Sequence, residues 1–373
     1  MNPSPVRLPS LASMERTIYI PDTMAAWPWP RKFNPLYDEV NAESLAWVKS
    51  YKPYTPESQV AHDKGDPGRL AALSYIDAPH DRLRIGMDCI NMLYMIDEYT
   101  DMESIKGVQE IREAVLDALR NTDKPRPEGE VILGEICQDF WARGRLIATL
   151  QAEKHFLDAM DLYLEGVLQQ AEDRENHVIR TVDAYMEVRR EDSGVRVCFT
   201  PGELHLSIPD EAFYHPIVKV LRDCSIDLVV LDNDVASYNR EQAIRYEDWN
   251  ILPVVMHQYG LDLYHATEWV ASYHEEIEAR FMDALDSLPS FGPAVDADLQ
   301  KYTNCLAYLP RGNDCWRFES ERFFGKRGLE VQETRTVRMF AKRVMNPEMR
   351  RAKIEIPLVE ELEQIPFVAT VED

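Results

Sequence analysis

Asp97-Glu98-Tyr99-Thr100-Asp101 and, far downstream, Asn233-Asp234-Val235-Ala236-Ser237-Tyr238-Asn239-Arg240-Glu241 place oxygen-bearing side chains at helical spacing. Each follows an apolar run, Ile90, Leu93, Tyr94 and Ile96 before the first and Ile226-Asp227-Leu228-Val229-Val230-Leu231 before the second. Runs of that kind bury a helix up to its acidic end. Residues four apart differ by about 40° in direction and about 6 Å in height. Asp97 and Asp101 therefore share a face, and an acidic last turn opposes the helix dipole unless a cation sits there. Asn233, Ser237 and Glu241 drift about 80° while climbing roughly 12 Å. Helical side chains lean toward the N-terminus and the far residue is the longer Glu, so three oxygens can converge on one ion. Two such faces opposed across a bundle make a Mg²⁺ site, and hard cations of this kind bring phosphate groups with them. The implied substrate is a phosphorylated small molecule. The plain alternative is a pair of solvated acidic helices.

Composition narrows the classes. A chain of 373 residues, 45% apolar, buries a substantial core, and length alone allows two or three domains. Forty-one basic against 65 acidic residues leave a net charge of −24. That field repels a bare polyanion, which argues against nucleic acid as a partner and makes metal ions necessary for a diphosphate to enter. Cys89, Cys137, Cys198, Cys224, Cys305 and Cys315 form neither a CxxC pair nor a disulfide framework, and are expected to be reduced core thiols of an intracellular protein. The start of the chain, with Pro3, Pro5 and Pro9, lacks a signal-peptide apolar run, and no stretch approaches 18 apolar residues. The expectation is a soluble, cytoplasmic protein with no membrane partner, either monomer or homodimer.

Periodicity is almost entirely helical. Residues 1–40, with Trp27-Pro28-Trp29-Pro30 and Asn34-Pro35, are too proline-rich for regular structure and are expected to run as an extended arm over the surface. Helices are predicted at 43–52, 68–76, 79–99, 105–121, 129–149, 151–174, 178–190, 209–246, 250–289 and 295–308. No run of alternating strands occurs, and loops such as 124–129 and 287–293 are too short for interdomain linkers. The chain reads as all-α, with 41–373 as a single helical domain. His274-Glu275 lacks the second histidine of a zinc-protease motif, and no GxGxxG or GxxxxGK stretch accompanies a strand.

Five stretches in this order resemble the class I terpene synthases, in their fungal sesquiterpene synthase branch. They are Trp27-Pro28-Trp29-Pro30-Arg31 through Tyr37, Asp97-Glu98-x-x-Asp101, Arg189-Arg190-x-x-Ser193-Gly194, Asn233 through Glu241, and Gly312-Asn313-Asp314-x-Trp316-x-Phe318-Glu319-Ser320-Glu321-Arg322-Phe323. The resemblance implies one α-helical bundle around an apolar cavity, a three-ion Mg²⁺ cluster at the rim, and a prenyl diphosphate substrate, usually farnesyl diphosphate. It implies Asp97 and Asp101 as metal ligands on one side and Asn233, Ser237 and Glu241 on the other. Arg240 and Arg322 would contact the diphosphate, as would one of Arg189 and Arg190; the doublet leaves the register open, with Arg189 preferred. Asp97, Arg189 and Arg322 would carry the ionisation.

Breaking an allylic carbon–oxygen bond leaves a carbocation and a diphosphate. Mg²⁺ and bidentate arginines stabilise the anion, while apolar and aromatic walls exclude water from the cation. Each ring face near a cation contributes roughly 0.5 to 2 kcal/mol, and Tyr75, Tyr94, Trp316 and Phe318 are the candidates. The sequence departs from the family pattern at Glu98, where a second Asp is frequent, and at Phe323, where Tyr is usual and one hydrogen bond to diphosphate is lost. Other readings are a synthase acting on geranyl diphosphate, a chain-elongating prenyltransferase, which would need two aspartate-rich motifs, and a noncatalytic helical relative.

Overall fold

In a computed structural model describing residues 17–244, 249–343 and 354–365, helices follow one another along the chain. The first five are α1 (Tyr37–Tyr51), α2 (Pro56–Gly65), α3 (Pro67–Ser74), α4 (His80–Thr100) and α5 (Ile105–Arg120). Next come α6 (Ile132–Gly144), α7 (Leu150–Glu175) and α8 (Val182–Asp192), then the single turns α9 (Thr200–Glu203) and α10 (Asp210–Phe213). The set continues with α11 (Pro216–Ala243), α12 (Ile251–Tyr259), α13 (Leu263–Asp286), α14 (Pro293–Glu319) and α15 (Gly328–Thr334), and a last turn spans Val359–Glu363. Two three-residue strands, β1 (Thr17–Tyr19) and β2 (Thr336–Arg338), pair antiparallel with Ile18 opposite Val337. The all-α reading holds, with these short strands as the exception.

Side-chain caps set many of the starts. Thr55, Asp66, Ser104, Thr149 and Thr181 each accept from a backbone N–H of the turn they precede, satisfying one of the helix's orphan donors. Two predicted helices are each divided. The 209–246 stretch breaks at His215-Pro216, where the His215 ring accepts from Ile217 N–H at 3.3 Å and Pro216 takes the first helical position. The 250–289 stretch breaks at Gly260, whose φ of 66° ends α12 in the left-handed region before Asp262 caps α13. Helix α2, not predicted, begins where Thr55 caps and Pro56 opens.

One helix runs longer than its sequence suggests. The helix predicted over 295–308 stops short of Pro310, which lacks the N–H that would bond the Leu306 carbonyl. Instead the fully buried Ser225 hydroxyl of α11 donates to that carbonyl at 2.6 Å, and α14 continues to Glu319. The next carbonyl, of Ala307, accepts from the Trp27 indole at 3.0 Å. The arm is therefore packed along α14 from Met24 onward, with Trp27 buried and the Arg311 guanidinium bonding the Met24 and Trp29 carbonyls at 2.8 Å each. Residues 1–16 of the expected arm lie outside the described residues.

Helix α11 packs between α13 and α14, α3 bridges α14 and α4, and α7 joins α5 to α8. This arrangement faces α4, α8, α11 and α14 toward one hollow.

A buried carbonyl left without a donor costs about 1–3 kcal/mol. Ser225→Ala should lower unfolding free energy by that order in urea titrations. In a Pro310→Ala background the restored N–H serves Leu306, and the penalty for Ser225→Ala should shrink. An equal penalty in both backgrounds would contradict this account of the long helix.

Candidate active site

The two acidic stretches meet. Asp97 and Asp101 from the end of α4, and Asn233, Ser237 and Glu241 from α11, line a single cavity of about 180 Å³. Arg189, Arg240, Arg322 and Phe323 border the same space. Its deeper wall is apolar, with Leu70, Ile90, Leu93, Val229, Val230 and Leu309. A wider depression of about 740 Å³ between Tyr99 and Val131 is open and edged by Glu103, Glu110, Glu113 and Asp117. No basic residue is among its described lining, and Asp117 is already paired with Arg126 at 2.8 Å and Lys124 at 3.0 Å, so of these two spaces the smaller hollow is the one that carboxyls and arginines line together.

The doublet at 189 and 190 divides between two jobs. Arg189 lines the cavity, bonding Asp234 through Nε at 3.2 Å and Nη2 at 3.0 Å, Asp192 at 3.1 Å, and the Asn233 side-chain oxygen at 3.5 Å. Arg190 is not part of the lining; it makes a bidentate pair with the buried Asp227 at 2.6 and 3.0 Å. Successive helix residues diverge by about 100°, so only one of the two can face the hollow.

Asp234, given no role from the sequence, organises the floor of the rim. Its carboxylate accepts from the Tyr185 hydroxyl, from Arg189 and from Ile251 N–H at 3.0 Å. Asn250 donates to the Asp234 carbonyl at 2.7 Å and to Glu241 at 2.9 Å, joining the start of α12 to the last turns of α11. Close approach of α7 to α8 requires Gly166, where a Cβ would lie 2.6 Å from the Asp192 nitrogen. Across the hollow, Glu98 accepts from Arg322 at 3.0 Å and lies 3.9 Å from Arg240. The Arg322 guanidinium also sits over the Tyr94 ring, 5.1 Å from its centroid.

Burial dominates the electrostatics. It pushes the Asp97 carboxyl well above the usual carboxylate range, helped by the nearby Asp101 and Glu98 charges, against the pull of Arg322 and Arg189. Burial, then Asp234, raises Glu241 to about 7, while hydrogen bonds from Ser237 and Asn250 pull it back. Asp192 is raised by burial to about 6, opposed by Arg189 and the Trp249 indole, which donates at 2.6 Å. Carboxyls held this far from water want positive charge, and carboxylate, amide and hydroxyl oxygens are the donor set of a hard divalent cation. These residues fit such an ion. A surface trio, Glu39, Glu43 and His80, brings its ligand atoms within 4.8 Å, but Glu43 already pairs with Arg84 at 2.8 Å.

Of the aromatic candidates, Tyr94 alone is among the described lining residues. Tyr75 packs on α4 at Gly86 and donates to the Cys198 carbonyl at 2.6 Å; Trp316 donates to the Gly65 carbonyl at 2.8 Å; Phe318 stacks on Phe324. Against the expectation from the sequence, these three are core side chains and not cavity walls. The rings that do border the cavity with Tyr94 are Tyr163, Trp249 and Phe323. Tyr163 and Trp249 carried no motif, and only the packing of α7 and the chain before α12 onto the rim reveals them. The six cysteines are all free thiols, five of them buried, and Cys198 lines the cavity. No helix among the described residues is long and apolar enough to cross a membrane.

Fold and rim together are those of an all-α protein whose carboxyls and arginines gather beside an apolar-walled chamber. Residues 88–280 match the family described as "Terpene synthase family 2, C-terminal metal binding". "Sesquiterpene synthase 14" of Postia placenta is 50% identical over 350 residues, covering 94% of this chain and 100% of that protein. "Delta(6)-protoilludene synthase" of Armillaria gallica is 41% identical, covering 89% of this chain and 96% of that protein. Among solved structures, α-eudesmol synthase superposes with a TM-score of 0.70 at 17% identity, over 79% of this chain and 98% of that one. Germacradien-4-ol synthase from Streptomyces citricolor gives 0.67 at 20% identity, over 78% and 98%; at these identities the likeness concerns the fold. The chain belongs to the terpene synthase family and is a terpene synthase, and its relatives bear out the fungal branch that its motifs resemble.

Carboxyls raised in the folded protein hold more protons there than in the unfolded chain, where Asp and Glu titrate near 4. Metal-free protein therefore loses this contribution to stability as pH rises through about 6 and 7, the values reached by Asp192 and Glu241. A divalent ion displaces the protons and reverses the slope. In thermal melts, Glu241→Gln should flatten the decline between pH 6 and 8, and added metal should raise the wild-type melting temperature more at pH 8 than at pH 6. Identical pH profiles for wild type and Glu241→Gln would count against the assignment of this carboxyl.

Proposed function

We propose that this terpene synthase is a sesquiterpene synthase that ionises farnesyl diphosphate with Mg²⁺, as a three-ion cluster, and cyclises or quenches the resulting cation. One observation carries the reading: oxygen ligands from two helices and three arginines border the same apolar-walled cavity. The relatives' names, sesquiterpene and protoilludene synthases, support the C15 substrate.

Asp97 and Asp101 would hold metal on the α4 rim, and Asn233, Ser237 and Glu241 on the α11 rim. The ions, when bound, act as Lewis acids on the diphosphate. Arg189, Arg240 and Arg322 supply planar N–H donors to its oxygens, a geometry suited to phosphate and strongest in a site shielded from water. Heterolysis sends the carbon–oxygen electron pair to the diphosphate and leaves an allylic cation in the chamber. Tyr94, Phe323 and Trp249 present rings there, and the apolar depth of the pocket excludes solvent from the cation. The reaction ends when the cation loses a proton or takes up water. Phe323 stacks edge-on against Trp316 at 5.3 Å and contributes a ring where a tyrosine would add a hydroxyl.

Purified protein incubated with Mg²⁺ and farnesyl diphosphate should release volatile C15 products. Geranyl diphosphate in a parallel incubation separates the monoterpene alternative, longer diphosphates would indicate chain elongation, and no product would indicate a noncatalytic relative. Chelation of the metal should abolish turnover, as should Asp97→Ala or Asn233→Ala with the fold intact by circular dichroism; wild-type rates in either variant would refute the ligand assignment. Arg189→Ala should abolish product formation and also destabilise, since the buried Asp234 and Asp192 lose a partner. Arg190→Ala should retain product formation and destabilise by less than the roughly 3–5 kcal/mol of a buried carboxylate left alone, because Arg280 still lies 3.5 Å from Asp227.

Phe323→Tyr should retain turnover and shift product ratios measured by gas chromatography. Complete inactivation would contradict its placement at the chamber wall.

A further inference from the structure

Asn239 lies in the downstream acidic stretch between Ser237 and Glu241, and its side chain is buried and hydrogen-bonded at both ends. Nδ2 donates to the Arg338 carbonyl at 2.9 Å, and Oδ1 accepts from Phe340 N–H at 2.8 Å. A carboxamide that bonds the C=O of one residue and the N–H two residues later does what a neighbouring strand's backbone would do. The chain through β2 is thus held on both edges. Ile20 N–H donates to the Arg335 carbonyl at 2.8 Å on the β1 side, and Asn239 takes the side facing α11. Gln242, one turn on, donates to the Phe340 carbonyl at 2.9 Å.

Packing reinforces the clamp. Phe340 joins Ala243, Ile244, Val359 and Leu362 in a small buried cluster separate from the main core, and Ile244 also borders the active-site cavity. Ile356, Pro357 and Val359 close a small hollow whose opposite wall includes Arg240 and Arg322. Lys64 bonds Glu360 at 2.7 Å and Glu321 at 3.0 Å, fastening the same stretch to α2 and to the chain after α14. The C-terminal chain therefore stands directly behind the turn of α11 that bears Arg240 and Glu241. Helix ends open at little cost unless something outside the helix holds them.

We propose that Asn239 is a positioning residue: by clamping residues 338–340 it makes the C-terminal chain a brace that holds Arg240 and Glu241 in register for a metal-bound diphosphate. The proposal rests on the roles assigned to those two residues above. Asn239 is not among the residues lining the cavity, so its loss should weaken ligand binding more than the bond-breaking step.

Asn239→Leu keeps the volume and removes both bonds to residues 338–340, together with the one Oδ1 accepts from Gln242 at 3.3 Å. Inorganic diphosphate with Mg²⁺ serves as the probe, read by thermal shift and by hydrogen exchange of the Phe340 amide. Wild type should show a thermal shift and added protection at Phe340. Asn239→Leu should need about tenfold more Mg²⁺ for the half-maximal shift, the equivalent of roughly one hydrogen bond, and should lose the added protection. In turnover, the Mg²⁺ requirement and KM should rise while kcat at saturation stays within about threefold, a change of under about 1 kcal/mol. Gln242→Leu should move the same quantities in the same direction by less, and decides the matter if Asn239→Leu does not fold. Should wild type respond while both variants respond at the same Mg²⁺ concentration, the brace is refuted and the proposed function stands. A wild type that shows no response to Mg²⁺ and diphosphate would remove the site assignment and the brace with it.

Discussion

The Asp234 carboxylate accepts from the Tyr185 hydroxyl, the Arg189 guanidinium and the Ile251 amide, so that α8, α11 and the start of α12 are tied at one buried point. A buried carboxylate survives only when its lone pairs are satisfied, and a misplaced helix would leave a charge stranded at a cost of several kcal/mol. That constraint fixes the distance between the helix carrying Arg189 and the helix carrying Asn233, Ser237 and Glu241. The cavity-lining oxygens of α11 inherit their positions from it. Asp192 extends the same set, bonded to Arg189 on one side and the Trp249 indole on the other.

Around this point the molecule keeps charge and apolar surface in contact without letting either dissolve the other. The rim concentrates carboxyls whose protonation is favoured by burial, and arginines that partly offset them. Below it the walls are leucine, isoleucine and valine, with four aromatic rings at the boundary. Ionisation chemistry needs both halves: fixed positive groups where the leaving diphosphate sits, and a dry surface where the cation forms. The net charge of −24 makes the localised arginines the exception on an acidic protein, which suits a substrate that arrives with its own counterions.

Much of this was legible in the residues. Apolar runs at helical spacing located the long helices, and the two acidic stretches, Arg322 and Arg240 all border the cavity as their motifs suggested. Errors clustered where a local rule was overridden from elsewhere in the chain. Pro310 reads as a helix stop because its missing N–H strands a carbonyl, and only the Ser225 hydroxyl on another helix removes that objection. Tyr75, Trp316 and Phe318 have the ring chemistry of cavity walls but point into the core, a matter of helix rotation that periodicity alone does not resolve between two buried faces. The role of Asn239 is invisible in its own stretch because its partners, Arg338 and Phe340, lie about a hundred residues later in the chain.

The sequence by itself determined the kind of chemistry available: which oxygen ligands lie on common helical faces, which arginines accompany them, and an all-helical scaffold able to present them. Those properties depend on residue type and on spacing within one helix, both of which are local. The tertiary structure decided which of Arg189 and Arg190 meets the cavity, which rings line it, and what stands behind the last turn of α11. Such choices turn on how helices distant in the chain rotate and dock against each other, and they are settled by the shared demand to bury apolar surface while leaving no inner charge without a partner.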